Sequence, residues 1–193
     1  MTRKIHDTDY LFLTTRVRAL EGCLLNRGQM EQMLEAGSPE EAARILTDCG
    51  YPELETVSAI TVGEMLNRER ERLFQDLAEL VPDPAILAVF QLPHDYHNVK
   101  VLLKSEAMGI QEDRLLVDAG RIPSKQLVAA LRSGEVQNLP PQLGEAIDEA
   151  RQVLSATRDP QLGDMVLDRR YFQELLVLAE ETGSLFLQGY VQR

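Results

Sequence analysis

Apolar side chains recur every three or four residues along most of this chain, which is the periodicity of amphipathic helices. The clearest stretch is residues 92–107, LPHDYHNVKVLLKSEA. Pro93 is expected to stop any preceding helix, and His94 or Asp95 can cap a new one. Gly109 can close that helix in a left-handed conformation. The pattern therefore predicts a central helix that begins after Pro93, with His94 or Asp95 as its cap, and is closed by Gly109. Its predicted buried stripe consists of Tyr96, Val99, Leu102, Leu103 and Ala107.

The same periodicity, with the usual start and stop residues, predicts helices on both sides of this stretch. Before it, helices are expected at 8–25, 29–35, 39–48, 61–80 and 85–90, the fourth capped by Thr61 and the third by Ser38 with Pro39. After it, helices are expected from 125, after the prolines at 140 and 141, from 160 with a bend near Asp168, and over 184–193. No segment shows the period of two that is typical of strands. The predicted fold class is all-α, a multi-helix bundle.

Asn98 lies on the predicted central helix, where an amide side chain has no local advantage. Inside a helix it costs ~0.7 kcal/mol relative to Ala, and it lies three residues from Asp95 on the same side. A buried amide needs hydrogen-bond partners, for example the exposed backbone end of another helix. We therefore predict that Asn98 is held by tertiary hydrogen bonds, and that Asn98→Ala lowers the free energy of unfolding by roughly 1 to 3 kcal/mol.

The charge of the chain narrows the possible partners. Acidic residues number 31 and basic residues 20, and the net charge of -11 repels both nucleic acid and anionic lipid. No apolar run approaches the roughly 20 residues that span a bilayer. The first ten residues, MTRKIHDTDY, lack the apolar centre of a signal peptide. These features favour a cytoplasmic protein without a nucleic-acid partner.

Common catalytic motifs are missing from the sequence. There is no Gly-x-Gly-x-x-Gly or Gly-x-x-x-x-Gly-Lys-Ser/Thr loop to cradle a phosphate, no Gly-x-Ser-x-Gly and no His-Glu-x-x-His. We therefore expect a protein that does not itself hydrolyse nucleotide and that uses no cofactor. Cys23 and Cys49 fit neither a metal spacing nor a disulfide framework, and two reduced, buried thiols are expected.

Three polar groups carry alternative interpretations. His94 and His97 beside Asp95 could contribute to a divalent-metal site, but no third ligand stands at a recognisable spacing, so structural roles are favoured. Asp168 with Arg169 and Arg170 could bind an anion, although a local ion pair or a helix bend is the preferred interpretation. The run of alternating charges at 68–72 is typical of a solvated helix face.

Several of these residues also resemble a known family. Asp95-Tyr96-His97-Asn98-Val99-Lys100, followed by Val101 to Lys104, resembles a motif of the C subunit (the d subunit in eukaryotes) of V-type and archaeal A-type ATPases. Residues 10–25, YLFLTTRVRALEGCLL, resemble the opening helix of that family. Residues 167–172, LDRRYF, resemble its leucine-aspartate-arginine, tyrosine-phenylalanine signature. The motif residues that carry the resemblance are Asp95, Asn98, Lys100, Asp168 and Arg169.

The resemblance implies a non-catalytic coupling subunit of a rotary ATPase or ATP synthase. Such a protein is built from three similar helical units in a funnel, sits on the membrane rotor ring and receives the tip of the central stalk. It would be peripheral at the cytoplasmic face of the membrane and would serve proton or sodium transport. An acidic surface would suit basic contacts on neighbouring proteins of the complex. The alternative is a generic cytoplasmic helical adaptor or scaffold.

The length of the chain departs from the family pattern. Family members are longer and repeat the Asp-x-x-Asn helix, whereas this chain carries it once, at Asp95 and Asn98, so the resemblance covers the N-terminal part. A composition shift at 108–124 predicts a first helical unit at 1–110 and a second, incomplete one at 111–193. The apolar group at 184–191 is then expected to need cover, with weak self-association or a disordered tail in isolation.

Overall fold

A computed structural model describes residues 6–110 and 113–193 of the chain. Within those ranges it contains nine α-helices, three short 3-10 helices and no β-strand, so the all-α prediction is confirmed. The α-helices are α1 (Leu11–Glu21), α2 (Arg27–Glu35), α3 (Pro39–Asp48), α4 (Ala59–Leu80), α5 (Pro84–Met108), α6 (Ser124–Ser133), α7 (Pro141–Thr157), α8 (Pro160–Glu181) and α9 (Leu185–Val191).

The chain forms two compact units, Met1–Pro82 and Asp83–Arg193. The boundary precedes α5, whereas the composition shift pointed to residues 108–124. The physical reason is that α5 packs against α6, α7 and α8, so it belongs to the unit that follows it. The division at residue 110 concerned repeated helical units rather than compact ones, and it stays a prediction.

The N-terminal unit has a small interior. Helix α2 packs on α3, and α1 contacts α4. Among the described residues of this unit, only Leu46 and Met65 are buried apolar side chains. Many apolar side chains on its helices remain exposed, including Phe12, Leu24 and Leu34. Little apolar burial stabilises this unit, so its helices depend strongly on their local start signals.

Two of those start signals were predicted from the sequence. The Ser38 cap of α3 is confirmed, because its Oγ accepts a hydrogen bond from the Glu41 amide at 3.1 Å and Pro39 follows in the first turn. The predicted cap of α4 was wrong. Ser58 is the cap, and Thr61 is the third helical residue, whose hydroxyl accepts from the Ser58 amide at 2.9 Å. This reciprocal pair places the cap three residues earlier in the chain than predicted.

The prediction that Pro93 starts a new helix was wrong. Helix α5 is continuous from Asp83, whose side chain caps it at the Ala85 amide, to the left-handed Gly109. An internal proline removes one backbone hydrogen bond and costs ~3 kcal/mol or more. Leu92 is fully buried next to it, and side chains of this size contribute about 1.5–3 kcal/mol each when buried. Tertiary packing on both sides of Pro93 therefore outweighs the local break.

Helix α8 is the centre of the C-terminal unit, and it packs against α5 and α7. It runs without interruption through Asp168, where a bend was predicted. Four of the five residues predicted for the stripe of α5 are buried, and the fifth, Ala107, is exposed near the end of the helix. The core of the unit includes Leu92, Tyr96, Val99, Leu127, Leu143, Ile147, Leu167 and Leu175.

Two further predictions concern residues outside this core, the two cysteines and the apolar group of α9. Cys23 and Cys49 are free thiols, but the prediction that both are buried was wrong, because Cys23 is exposed and Cys49 is half-buried. The physical reason is that both follow helix ends in the unit with the small interior. In α9, Leu187 is buried, while Leu185 and Phe186 are exposed. Self-association or disorder of this segment stays a prediction.

Candidate functional site

Asn98 of α5 is fully buried and binds one backbone position of the loop between α5 and α6. Its Nδ2 donates to the Val117 carbonyl at 2.8 Å, and its Oδ1 accepts from the Val117 amide at 2.9 Å. The predicted tertiary hydrogen bonds are thus confirmed, although the partner is loop backbone rather than a helix end. An amide side chain suits this position because it carries both a donor and an acceptor.

Asp95, one turn earlier on α5, holds the other end of the same loop. Its Oδ2 accepts from the Arg121 Nε at 2.6 Å, and its Oδ1 accepts from the Ile122 amide at 3.2 Å. Gly120 makes this approach possible, since a Cβ at that position would lie 2.2 Å from the Asp95 Oδ1. We call the contacts of Asp95 and Asn98 with residues 117–122 the loop clasp.

The clasp extends to α8 through Arg121. Its Nη1 lies 2.8 Å from the Glu174 Oε1, and the Tyr96 hydroxyl donates to the Glu174 Oε2 at 2.9 Å. Asp95, Tyr96 and Glu174 are all buried. One guanidinium therefore joins a carboxylate of α5 to a carboxylate of α8 in the interior of the unit. Removing one partner of such a buried set typically costs about 3–5 kcal/mol, because a charge is left without compensation.

Burial shifts the pKa of each of these groups, and neighbouring charges either oppose or reinforce that shift. Burial raises the pKa of Asp95, with the nearby Glu174 charge acting in the same sense, and the hydrogen bond from Arg121 opposes the shift. Burial also raises the pKa of Tyr96, and the Glu174 carboxylate adds to the increase, so its hydroxyl stays protonated as a donor. Burial alone would lower the pKa of Arg121, but the two carboxylates outweigh it and the net shift is upward. The guanidinium thus keeps its charge.

Ion pairs continue the junction between α5 and α8 beyond the clasp. Lys100 Nζ lies 2.5 Å from Asp168 Oδ1, and Lys104 Nζ lies 2.7 Å from Asp164 Oδ2. The partners advance by one turn on α5 while they recede by one turn on α8, so the two helices run antiparallel. These partly exposed pairs each contribute at most about 1 kcal/mol, and both are compatible with one register of the two helices.

The neighbouring residues of α8 bind the opposite helix, α7. Arg169 pairs with Glu149, and Arg170 Nε donates to Glu149 Oε2 at 2.7 Å. The hydrogen bond from Arg170 lowers the pKa of Glu149, and Arg169 reinforces the effect. Arg170 also lies 3.2 Å from Glu145. Asp168, Arg169 and Arg170 thus form ion pairs between helices, where a local ion pair or a helix bend had been predicted.

The nearby histidine pair was a candidate for metal binding. His97 Nε2 lies 3.0 Å from the Leu115 carbonyl oxygen, a contact in which a protonated nitrogen would donate. No group of three or more His, Cys, Asp or Glu side chains within residues 6–110 and 113–193 is arranged to hold a metal ion. The contact with Leu115 gives His97 a structural partner without a metal.

The five motif residues thus act at three places. Asp95 and Asn98 bind the 117–122 loop, Lys100 and Asp168 pair between α5 and α8, and Arg169 pairs with α7. Sequence reasoning missed three partners, Arg121, Glu174 and Tyr96 as a donor. Glu174 carried a detectable signal, because it lies on the buried side of α8 three residues after Tyr171 and seven after Leu167. Arg121 gave no such signal, because it lies in a loop, where there is no helical periodicity from which a charged residue could depart.

Chemically, the site is suited to holding backbone rather than to transforming a ligand. The carboxylates of Asp95 and Glu174 are buried and already accept hydrogen bonds from protein donors. Across the described parts of the chain, none of the helices has the length and apolar character needed to cross a membrane. The arrangement is a brace that joins α5, the 117–122 loop and α8.

Comparisons with known proteins give a consistent assignment. A family model described as ATP synthase (C/AC39) subunit matches residues 13–193. The C subunit of the V-type sodium ATPase of Enterococcus hirae is 28% identical over 176 residues, which cover 91% of this chain and 54% of that protein. The C subunit of the A-type ATP synthase of Methanocaldococcus jannaschii is 26% identical over 129 residues, covering 61% of this chain and 32% of that protein. The chain spans about half and about a third of the lengths of these curated relatives.

Proposed function

The chain belongs to the ATP synthase (C/AC39) subunit family, and from that premise we propose that it is a coupling element of a V/A-type rotary ATPase or ATP synthase. In this proposal it links the central stalk to the membrane rotor ring and takes part in proton or sodium transport. Its place is peripheral, at the cytoplasmic face of the membrane. The family match over residues 13–193 is the observation that carries the proposal.

The brace in the C-terminal unit supports a mechanical role. A part that carries torque must keep its shape under load, and shape is kept best where packed helices are also joined by directional bonds. The fully buried Asp95 and Asn98 give this unit such bonds, since they tie the 117–122 loop to α5 through its backbone and through Arg121. Asp168 and Arg169 then fix α8 to α5 and to α7.

The proposal assigns no catalysis to this chain. The sequence contains no loop of the kinds that cradle nucleotide phosphates. The buried carboxylates of Asp95 and Glu174 accept hydrogen bonds from donors within the protein. Nucleotide chemistry and ion binding would therefore reside on other proteins of the complex, and this chain would need no cofactor. Membership of a three-unit funnel, with similar units at 1–110 and 111–193, is part of the same proposal.

Affinity purification from the native host tests the proposed partners. A tagged copy of the protein that contains this chain is expressed at its natural level, membranes are solubilised in mild detergent, and the recovered proteins are identified by mass spectrometry. We expect central-stalk proteins and the rotor-ring protein of a V/A-type ATPase. Recovery of unrelated proteins without any ATPase component would contradict the proposal and favour the helical adaptor.

Two variants sharpen this experiment. Asn98→Ala loosens the clasp without changing charge, whereas Asn138→Ala removes an exposed amide of the same unit. We expect recovery of stalk and ring proteins to fall for Asn98→Ala and to stay unchanged for Asn138→Ala. Equal recovery for both variants, at equal cellular abundance, would show that the clasp is not needed for assembly.

A further inference from the structure

Both cysteines of the chain line one cleft of the N-terminal unit. The cleft has a volume of about 280 Å³, and its walls come from the ends of α1 and α3 and from the side of α4. Cys23 follows α1 and is exposed, while Cys49 ends α3 and is half-buried. The sequence places these residues far apart, in different helical segments. Their meeting in one cleft is a product of the fold.

The two thiols occupy different surroundings. The Cys49 Sγ accepts a hydrogen bond from the Gln29 Nε2 at 3.1 Å, and the same Gln29 side chain accepts from the Asn26 amide at 2.8 Å at the start of α2. Cys49 is thus held in place by a residue that is itself anchored. The Cys23 Sγ makes a long contact of 3.9 Å with the Ala19 carbonyl oxygen. Cys23 is the accessible thiol, and Cys49 is the positioned one.

We propose that Cys23 and Cys49 are a redox-active thiol pair that closes to an intramolecular disulfide with a low-molecular-weight disulfide such as oxidised glutathione. The Cys23 thiolate attacks the external disulfide, forms a mixed disulfide and releases one glutathione thiolate. The Cys49 thiolate then attacks the Cys23 sulfur and expels the second glutathione thiolate. One external disulfide is reduced to two thiols, and the two protein thiols are oxidised to one disulfide.

The light packing of this unit favours movement of the segments that carry the two cysteines. A disulfide needs Cα atoms about 4.4–6.8 Å apart, so the bridge would hold the residues that follow α1 and α3 at that separation. Leu46 and Met65 are the only buried apolar side chains among the described residues of the unit. Such a lightly packed region opens and shifts at low free-energy cost compared with a dense core. The bridge would tie the end of α1 to the end of α3 and reduce this mobility.

Thiol-disulfide equilibrium gives a direct test on the full chain. The protein is equilibrated with mixtures of reduced and oxidised glutathione, quenched with acid, and analysed by intact mass and by peptide mapping for the Cys23–Cys49 bridge. The effective concentration of the pair is measured in buffer and again in concentrated guanidinium chloride. We expect the native value to exceed the denatured value by at least about tenfold, equivalent to ~1.4 kcal/mol, because the fold places both thiols on one cleft.

The result and its controls decide the proposal in either direction. A ratio below about ten, or a native product dominated by two mixed disulfides, would overturn it. By linkage, the bridged protein should also melt at a higher temperature than the reduced protein. Cys23→Ser and Cys49→Ser cannot form the bridge, so each should keep a single mixed disulfide. The mixed disulfide should form faster in Cys49→Ser, which retains the exposed thiol, and the opposite order would contradict the proposed order of attack.

Discussion

Asn98→Ala removes the two hydrogen bonds that hold Val117, of 2.8 and 2.9 Å. Val117 is buried, so its amide and its carbonyl would both be left without the partner that Asn98 supplies. An unsatisfied buried group costs about 1–3 kcal/mol, and Ala returns ~0.7 kcal/mol through its higher helix propensity. Two such groups, less the gain in helix propensity, give an expected loss of about 1–5 kcal/mol in the free energy of unfolding of the C-terminal unit. The upper limit exceeds that of the sequence-based range, because the structure shows two bonds to backbone.

Urea titration followed by circular dichroism measures this loss, and native-state hydrogen exchange shows where it occurs. The midpoint should fall with little change in slope, and the Val117 amide should lose its protection. Asn98→Asp is a sharper variant, since a carboxylate can accept from the Val117 amide but presents a second acceptor to the Val117 carbonyl. It should cost at least as much as Asn98→Ala.

Asn138→Ala is the matched control, because Asn138 is exposed and its side chain makes a 3.4 Å contact with Glu135. It should change stability by less than about 0.5 kcal/mol. If Asn98→Ala also stays within this limit, or if the Val117 amide remains protected, the proposed role of the clasp is wrong.

Three further predictions concern the same unit. Gly120→Ala places a Cβ against Asp95 and should lower the melting temperature measurably by calorimetry; an unchanged value would mean that the loop moves freely away. A double-mutant cycle on Lys100 and Asp168 should give a coupling free energy of about 0.2–1 kcal/mol, and a value well above this range would contradict a partly exposed pair. The raised pKa of Asp95 adds a pH-dependent term to the free energy of unfolding, which is fully present below the ordinary aspartate pKa of about 3.9 and is lost as pH rises through the raised value. The stability of the native protein minus that of Asp95→Asn should therefore fall as pH increases through that window, and a rise would contradict the stated direction.

The helices were largely predictable because their start and stop signals are local. The cap at Ser38 and the left-handed Gly109 follow from backbone chemistry that a short stretch of sequence contains. Pro93 shows where local chemistry is insufficient. Its effect on the helix depends on how much apolar surface Leu92 and its neighbours bury, and that quantity depends on the helices that pack against α5, which come later in the chain.

The site was predictable only in part, for a related reason. Asn98 was recognisable because an amide on an apolar face needs a partner, and the structure supplies one. The identity of that partner was not recognisable, since loop backbone offers the same groups at every position. Arg121 joins Asp95 and Glu174 across three segments, and only the packed unit brings these charges together.

The proposed coupling role leads to a testable distinction between two activities of one complex. A catalytic subunit would be needed for ATP hydrolysis itself, whereas a coupling element is needed for hydrolysis to drive transport. A helical adaptor outside the ATPase would affect neither activity. The three possibilities therefore differ in outcome and not only in degree.

The most direct measurement is of ATP-driven ion uptake on membrane vesicles, with ATP hydrolysis assayed in parallel on the vesicles and on the soluble fraction, from the native host with and without the gene that encodes this chain. We predict that loss of the gene abolishes proton or sodium uptake, that hydrolysis persists in the released catalytic part, and that re-expression restores uptake. Full ATP-driven uptake by vesicles that lack the protein would contradict the coupling role.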